Sequence, residues 1–191
     1  VSQNIYLTEK EINAIYKYQP VSDTELFVKN TFLLGALTGA RHSDYMTFTT
    51  KNIQDGFLTY ISQKTHIEAR IPVCPMLLRI LREKSSNKAF NRELSDVYYN
   101  EILRDICKKS GITEQKRLYK GGRYQEGEKW KFVASHTGRR SFATCLYLRN
   151  ADLYQISRLM GHSSVKQTEG YICCGLKDLN PEVMGYFNSF N

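Results

Sequence analysis

Three short stretches carry residue types that could do chemistry together. In Thr38-Gly39-Ala40-Arg41-His42-Ser43-Asp44, one helix should stop at Gly39 and another start near Ser43. Arg41 then sits at a bend, where a long side chain can project into a cleft. Asp44, three residues on, can hold the Arg41 guanidinium or a nearby backbone amide. In Ser135-His136-Thr137-Gly138-Arg139-Arg140-Ser141-Phe142-Ala143-Thr144, a helix capped by Ser135 sets His136 and Arg139 three apart on one face. Arg140, four from His136, lies near that face too, and spacing alone does not choose between the two arginines. A histidine and an arginine projecting together suit a phosphate: the guanidinium forks onto two oxygens and the imidazole moves a proton. A basic helix face on solvent is the plainer alternative. The third stretch runs from Leu159 to Tyr171. Asp152 and Gln155 should cap a helix carrying Leu153, Ile156, Leu159 and Met160, with Gly161 as its stop. Ser164 and Gln167 then open another helix and set Tyr171 two turns in. The chain has 13 tyrosines, so one phenol by itself says little.

The elements that must position these groups are mostly helical. Thr8 and Glu11 form a capping box for a helix from Glu9 to about Tyr18, ended by Pro20. Ser22 and Glu25 repeat the device ahead of a dense apolar run, predicting a buried helix over Asp23–Thr38 with Gly39 just beyond. From Asn52 to Val73 the pattern changes. Asp55-Gly56 is a turn signal, and Phe57–Ile61 and Ile67–Val73 predict two or three short antiparallel strands. Pro72 and Pro75 close the sheet. Helices follow over Met76–Lys84 and Leu94–Lys109, with Gly111 past the second. Residues 113–131 hold Lys116, Arg117, Lys120, Arg123, Lys129 and Lys131 around three glycines, and predict a mobile basic loop or hairpin. Its plainer alternative is a solvated surface loop. The chain is helical again from Ser135. The fold class expected is mainly α with a small antiparallel sheet (α+β), in one domain over 1–191.

Composition narrows the function classes. The 191 residues carry 27 Lys and Arg against 19 Asp and Glu, a net charge of +8, which favours a polyanionic partner such as nucleic acid. Hydrophobic residues at 41% and charged residues at 24% fit a globular chain with a real core. No apolar run approaches the roughly 18 residues of a membrane helix, and the start lacks a secretory pattern. It also lacks a Met, so a fragment of a longer chain is expected. The five cysteines, Cys74, Cys107, Cys145, Cys173 and Cys174, are odd in number and irregular in spacing. They predict no disulfide framework and a reducing, cytosolic setting. The four histidines show no zinc-type spacing, so no metal is expected.

The order of the motifs is more specific than any one of them. Thr38-Gly39-Ala40-Arg41 comes first, then Gln63-Lys64-Thr65 in a strand hairpin, then His136-Thr137-Gly138-Arg139. Leu159-Met160-Gly161-His162-Ser163-Ser164 and Thr168-Glu169-Gly170-Tyr171 complete the series. This series resembles the catalytic domain of the tyrosine recombinases, the phage-integrase family, and looks most like the integrases of bacterial mobile elements. The resemblance covers almost the whole chain. It implies the family's DNA breaking-rejoining fold and a site-specific recombinase. Tyr171 would attack a DNA phosphodiester, leaving a 3′-phosphotyrosine and a free 5′-hydroxyl, with no metal, ATP or other cofactor. A covalent intermediate conserves the bond energy for rejoining. Arg41 and Arg139 would clamp the non-bridging oxygens, where phosphoryl transfer concentrates charge. Lys64, borne on a strand, would be the general acid for the leaving oxygen, since an ammonium pressed by nearby cations can release a proton. His136 would accept the phenol proton or contact the phosphate. His162 would donate a further hydrogen bond, and Asp44 would support the site without reacting.

Further expectations follow from the same resemblance. Gly138 stands where the family more often has an apolar residue, which should loosen the register of Arg139. Lys116, Arg117, Lys120, Arg123 and Arg140 are candidates for tracking a DNA backbone. The upstream DNA-clamping domain usual in the family is absent from this stretch, so weak, salt-sensitive DNA binding is expected. The tail from Leu176 to Asn191 would pack on a neighbouring subunit of a tetramer on synapsed double-stranded DNA, or fold back on its own core if the isolated domain is monomeric. The work would be done in the bacterial cytoplasm, at the nucleoid. Two competing readings share the fold: a type IB topoisomerase, which relaxes supercoils alone, and a non-catalytic DNA-binding module.

Overall fold

The structure, a computed structural model, describes residues 4–86 and 92–174. Helix α1 (Glu9–Lys17) starts at a reciprocal box: the Thr8 hydroxyl accepts from the Glu11 amide, and Glu11 Oε1 accepts from the Thr8 amide. Helix α2 (Asp23–Thr38) is capped by the Ser22 hydroxyl, but here the box is not closed. The Glu25 carboxylate turns instead to the Val21 amide and the Tyr18 hydroxyl, tying the end of α1 to the start of α2. Phe27, Val28, Phe32, Leu33 and Leu34 are all buried. A helix apolar on every side belongs in the centre, and α2 contacts α1 and four later helices, α3 (His42–Tyr45), α4 (Pro75–Ser86), α5 (Asp96–Lys109) and α6 (Thr137–Leu148).

Gly39 ends α2 in the left-handed conformation, with φ 65°. A Cβ there would lie 2.3 Å from the Phe142 ring of α6. Gly39→Ala therefore combines a disfavoured backbone, about 1–2 kcal/mol, with overpacking of about 1–3 kcal/mol. The expected result is a melting temperature lower by roughly 5–15 °C for a domain of this size, checked by thermal denaturation. Gly138 has the opposite role to the loosening expected of it. A Cβ on it would meet Ala36 N at 3.1 Å and Phe32 O at 3.3 Å, both backbone atoms of α2. The missing side chain lets α6 sit directly on α2, which sets the depth of Arg139.

Strands β1 (Ile53–Gln54), β2 (Phe57–Ile61) and β3 (Glu68–Pro72) form an antiparallel sheet in the order β1-β2-β3. Asp55 and Gly56 both have positive φ, the geometry of a tight hairpin. Leu58 and Tyr60 on β2 pair with Ile71 and Ala69 on β3, and all four are buried. Pro72 ends an edge strand, where a missing N–H is tolerated, while Pro75 opens α4. Helix α5 is capped by Ser95. The basic segment forms a hairpin, β4 (Gln115–Lys120) and β5 (Arg123–Glu128), around Gly121 and Gly122. Helices α7 (Leu153–Leu159) and α8 (Val165–Glu169) follow α6. The expected tail from Leu176 to Asn191 lies outside the described residues. No helix among those described is long and apolar enough to cross a membrane, and the five cysteines are free.

Candidate active site

Arg41 is the residue before the short helix α3 (His42–Tyr45). Its Nη1 donates to Ser62 Oγ at 3.2 Å, and Ser62 Oγ donates to Asp44 Oδ2 at 3.4 Å. Asp44 Oδ1 accepts from the Gln63 amide at 2.9 Å. The fully buried Asp44 carboxylate thus pins α3 to the end of β2, and it supports Arg41 through Ser62. Ser62 carried no motif signal. Its place follows from strand alternation, since Leu58, Tyr60 and Ser62 share the inward face.

Arg139, 5% exposed, reaches across from α6. Its Nη1 donates to the Gly39 carbonyl, the C-terminal stop of α2, and its Nη2 meets His162 Nε2 at 2.5 Å. Its Nε is buried with no partner. Burial lowers the Arg139 pKa from its ordinary value; Tyr171 opposes this and Arg41 reinforces it. A guanidinium keeps its proton regardless. Arg140 points elsewhere, so packing decides the choice between the two arginines that spacing left open.

His162 follows Gly161, whose left-handed turn ends α7. Its Nδ1 lies 2.9 Å from Thr168 Oγ1. A guanidinium has no acceptor, so His162 Nε2 accepts from Arg139 and Nδ1 carries the proton toward Thr168. In this arrangement His162 orients Arg139, and donation to a phosphate requires that bond to open. Burial, then the Arg139 and Arg41 charges, press the His162 pKa from 6.5 to about 4. Between those values the unfolded chain binds a proton that the folded chain refuses, so stability is expected to fall as pH drops from 6.5 toward 4. Burial and the Arg140 and Lys120 charges lower the His136 pKa in the same sense. Melting curves across this range check it: His162→Asn should flatten the slope, and an unchanged slope would assign it to other groups.

Tyr171 is not two turns into a helix. Helix α8 is one short turn, capped by Gly170, and Tyr171 follows it. Ser164 makes no side-chain cap; Gln167 Oε1 instead accepts from the Ser163 amide. The Tyr171 carbonyl accepts from Thr144 Oγ1 of α6 at 3.2 Å. Its ring stacks on His162 at 5.3 Å between centroids, with the Arg139 guanidinium 4.8 Å from the ring centre.

The remaining candidates divide. Ser135 does not cap α6; its amide donates to Asn100 Oδ1, and His136 takes the cap position. His136 lines a neighbouring cleft of 310 Å³ with Arg104, Lys120, Lys131 and Arg140. Lys64 lies in the turn between β2 and β3, exposed to solvent, and not on a strand. That turn is tied to the His162 loop by Thr65 Oγ1, which donates to the Gly161 carbonyl at 2.9 Å. On the hairpin, Lys116 pairs with Glu114 at 2.8 Å and Arg117 with Glu126 at 3.0 Å. Arg123 is exposed beside the turn of the hairpin. Lys129 is buried against Glu11 at 2.5 Å, as a strut to the α1 cap.

Arg41, Asp44, Arg139, His162 and Tyr171 therefore meet at one place, built where the end of α2, the β2–β3 turn, α6 and the α7–α8 loop converge. Solved structures share the architecture. XerA recombinase is 16% identical, with 99% of this chain and 64% of that one aligned at a TM-score of 0.64. XerH recombinase bound to palindromic difH substrate, in a post-cleavage complex, is 15% identical over 98% of this chain and 54% of that one, with a TM-score of 0.67. The catalytic domain of bacteriophage HP1 integrase is 18% identical over 98% and 95%, with a TM-score of 0.55. The chain thus spans roughly half to two thirds of the XerH and XerA chains and nearly all of the HP1 domain. No curated protein matches the sequence. The profile described as the phage integrase family matches residues 5–173, with Arg41, Arg139, His162 and Tyr171 all inside it, and the chain belongs to that family.

Proposed function

We propose that this chain is the catalytic domain of a site-specific DNA recombinase, and that Tyr171 is its nucleophile. The carrying observation is the Tyr171 ring lying against the bonded pair of Arg139 and His162, with Arg41 acting on the same pair. The Tyr171 oxygen forms a bond to a DNA phosphorus as the bond to the 5′-oxygen breaks. The phosphate stays on the 3′-end, now esterified to the phenol. When Tyr171 leaves its stack on His162 and turns toward the neighbouring cleft, the phenol proton passes to His136, whose lowered pKa favours the neutral imidazole, and Lys64 gives the leaving oxygen its proton. Arg41 and Arg139 neutralise the equatorial oxygens. Attack by the 5′-hydroxyl of a new strand reverses the step without ATP.

The partner is double-stranded DNA. Lys120 and Arg140 in the His136 cleft, with Arg123, face its backbone; Lys116 and Arg117 are drawn from their carboxylates to do so. The working assembly is a tetramer on synapsed DNA, with an upstream clamping domain in the longer integrase, acting at the bacterial nucleoid. The test uses a pool of nicked duplexes of random sequence, incubated with the chain in EDTA. An SDS-stable protein–DNA adduct, mapped by peptide mass to Tyr171, is the expected result. No adduct, or one mapped elsewhere, overturns the assignment.

A further inference from the structure

Tyr60 carried no motif signal and has no part in the scheme above. It lies on the inward face of β2, two residues before Ser62, the serine that joins Arg41 to Asp44. It is 8% exposed, and its ring packs on Phe48 with centroids 4.7 Å apart. Opposite it, Ala69 of β3 faces the Gly161 turn that presents His162. Its hydroxyl is buried and has no hydrogen-bond partner. A phenylalanine would fill the same space without that cost. The hydroxyl is nevertheless not in an apolar region: the charges of Arg139, Asp44 and Arg41 all act on it. The Arg139 Nε nearby is the other buried polar atom of this cluster with no partner.

The Tyr60 hydroxyl and the Arg139 Nε are two donors without partners, and with the Arg41 charge acting on both residues they are groups an oxyanion would satisfy. Resting on the recombinase reading, we propose that the Tyr60 hydroxyl is a further phosphate-contacting group, donating to a non-bridging oxygen of the phosphate that Arg41 and Arg139 hold. Burial raises its pKa to about 12, so the phenol keeps its proton and serves as a donor. The Tyr171 ring lies over the Arg139 guanidinium, and its movement to attack admits the phosphate to both donors.

The test compares the full chain with its Tyr60→Phe variant on a nicked duplex recovered from the random pool. Adduct formation should slow about tenfold, the effect of one hydrogen bond to a charged group, with DNA affinity unchanged and a melting temperature equal to or above the parent. Duplexes with either phosphorothioate diastereomer at the scissile position supply a readout that a packing role would not move. Sulfur at the contacted oxygen should slow the parent and erase most of the difference between the two chains, while the other diastereomer should preserve it. A Tyr60→Phe chain that melts lower, or forms adduct at the parental rate, overturns the proposal while leaving the recombinase reading intact. A parent that forms no adduct on any duplex removes both.

Discussion

Tyr171→Phe is expected to abolish covalent adduct formation, by at least about 10⁴-fold, because removing the proposed nucleophile leaves only the residual effects of binding. The fold should be unaffected. The contacts that dock residue 171 are its carbonyl, bonded to Thr144, and the face of its ring, against His162 and Arg139. Phenylalanine keeps these and loses only the hydroxyl's interaction with the Arg139 guanidinium. The melting temperature should therefore stay within a few degrees of the parent, and DNA binding should persist. Gel assays of SDS-stable adduct, with binding measured on the same duplex, check both halves. Residual adduct at a tenth of the parental level would place the nucleophile on another residue.

Arg139→Lys should have the next largest effect. The guanidinium bonds at once to Gly39 O and His162 Nε2, and its Nε is still unpartnered. An ammonium keeps the charge but cannot span these directions. Loss of one preorganised donor to a developing oxyanion costs roughly 10²–10³ in rate, and that is the drop expected in cleavage. DNA affinity should change far less, since the charge is retained. Arg140→Lys is the internal control. Arg140 lies in the His136 cleft and not on Tyr171, so cleavage of bound DNA should fall by less than about tenfold. Equal losses in the two variants would mean that the division of the arginines between two clefts has no catalytic meaning.

The two variants also separate the effects of chemistry from those of architecture. Arg139 closes a contact between the end of α2 and the α7–α8 loop, so part of any loss is structural. Thermal denaturation of Arg139→Lys measures that part directly. The Gly39→Ala change disturbs the same joint from the other side, by displacing the carbonyl that Arg139 grips and the Phe142 ring beside it. If rigidity of this joint positions the guanidinium, Gly39→Ala should slow cleavage as well as lower stability.

Local signals in the sequence determined much of this protein. The Thr8–Glu11 box, the span of α2 with its Gly39 stop, the Asp55-Gly56 hairpin and the Gly161 turn all depend on residues a few positions apart. Each acts through backbone conformation or a neighbouring amide. The order of Arg41, Arg139, His162 and Tyr171 was legible for the same reason, since each falls at or near an element boundary. Only the tertiary structure decided which side chains meet. Gly138 draws α6 onto α2 and turns Arg139 toward Gly39 and His162, while His136 and Arg140 open on another cleft. Ser62 and Tyr60 join the cluster because β2 ends beside α3, a contact between segments that share no local signal. Tyr171 sits past a single turn of helix because its carbonyl is held by Thr144, 27 residues away in the chain. Caps and turns are set by the energies of neighbouring residues; the convergence of side chains is set by how helices and strands pack.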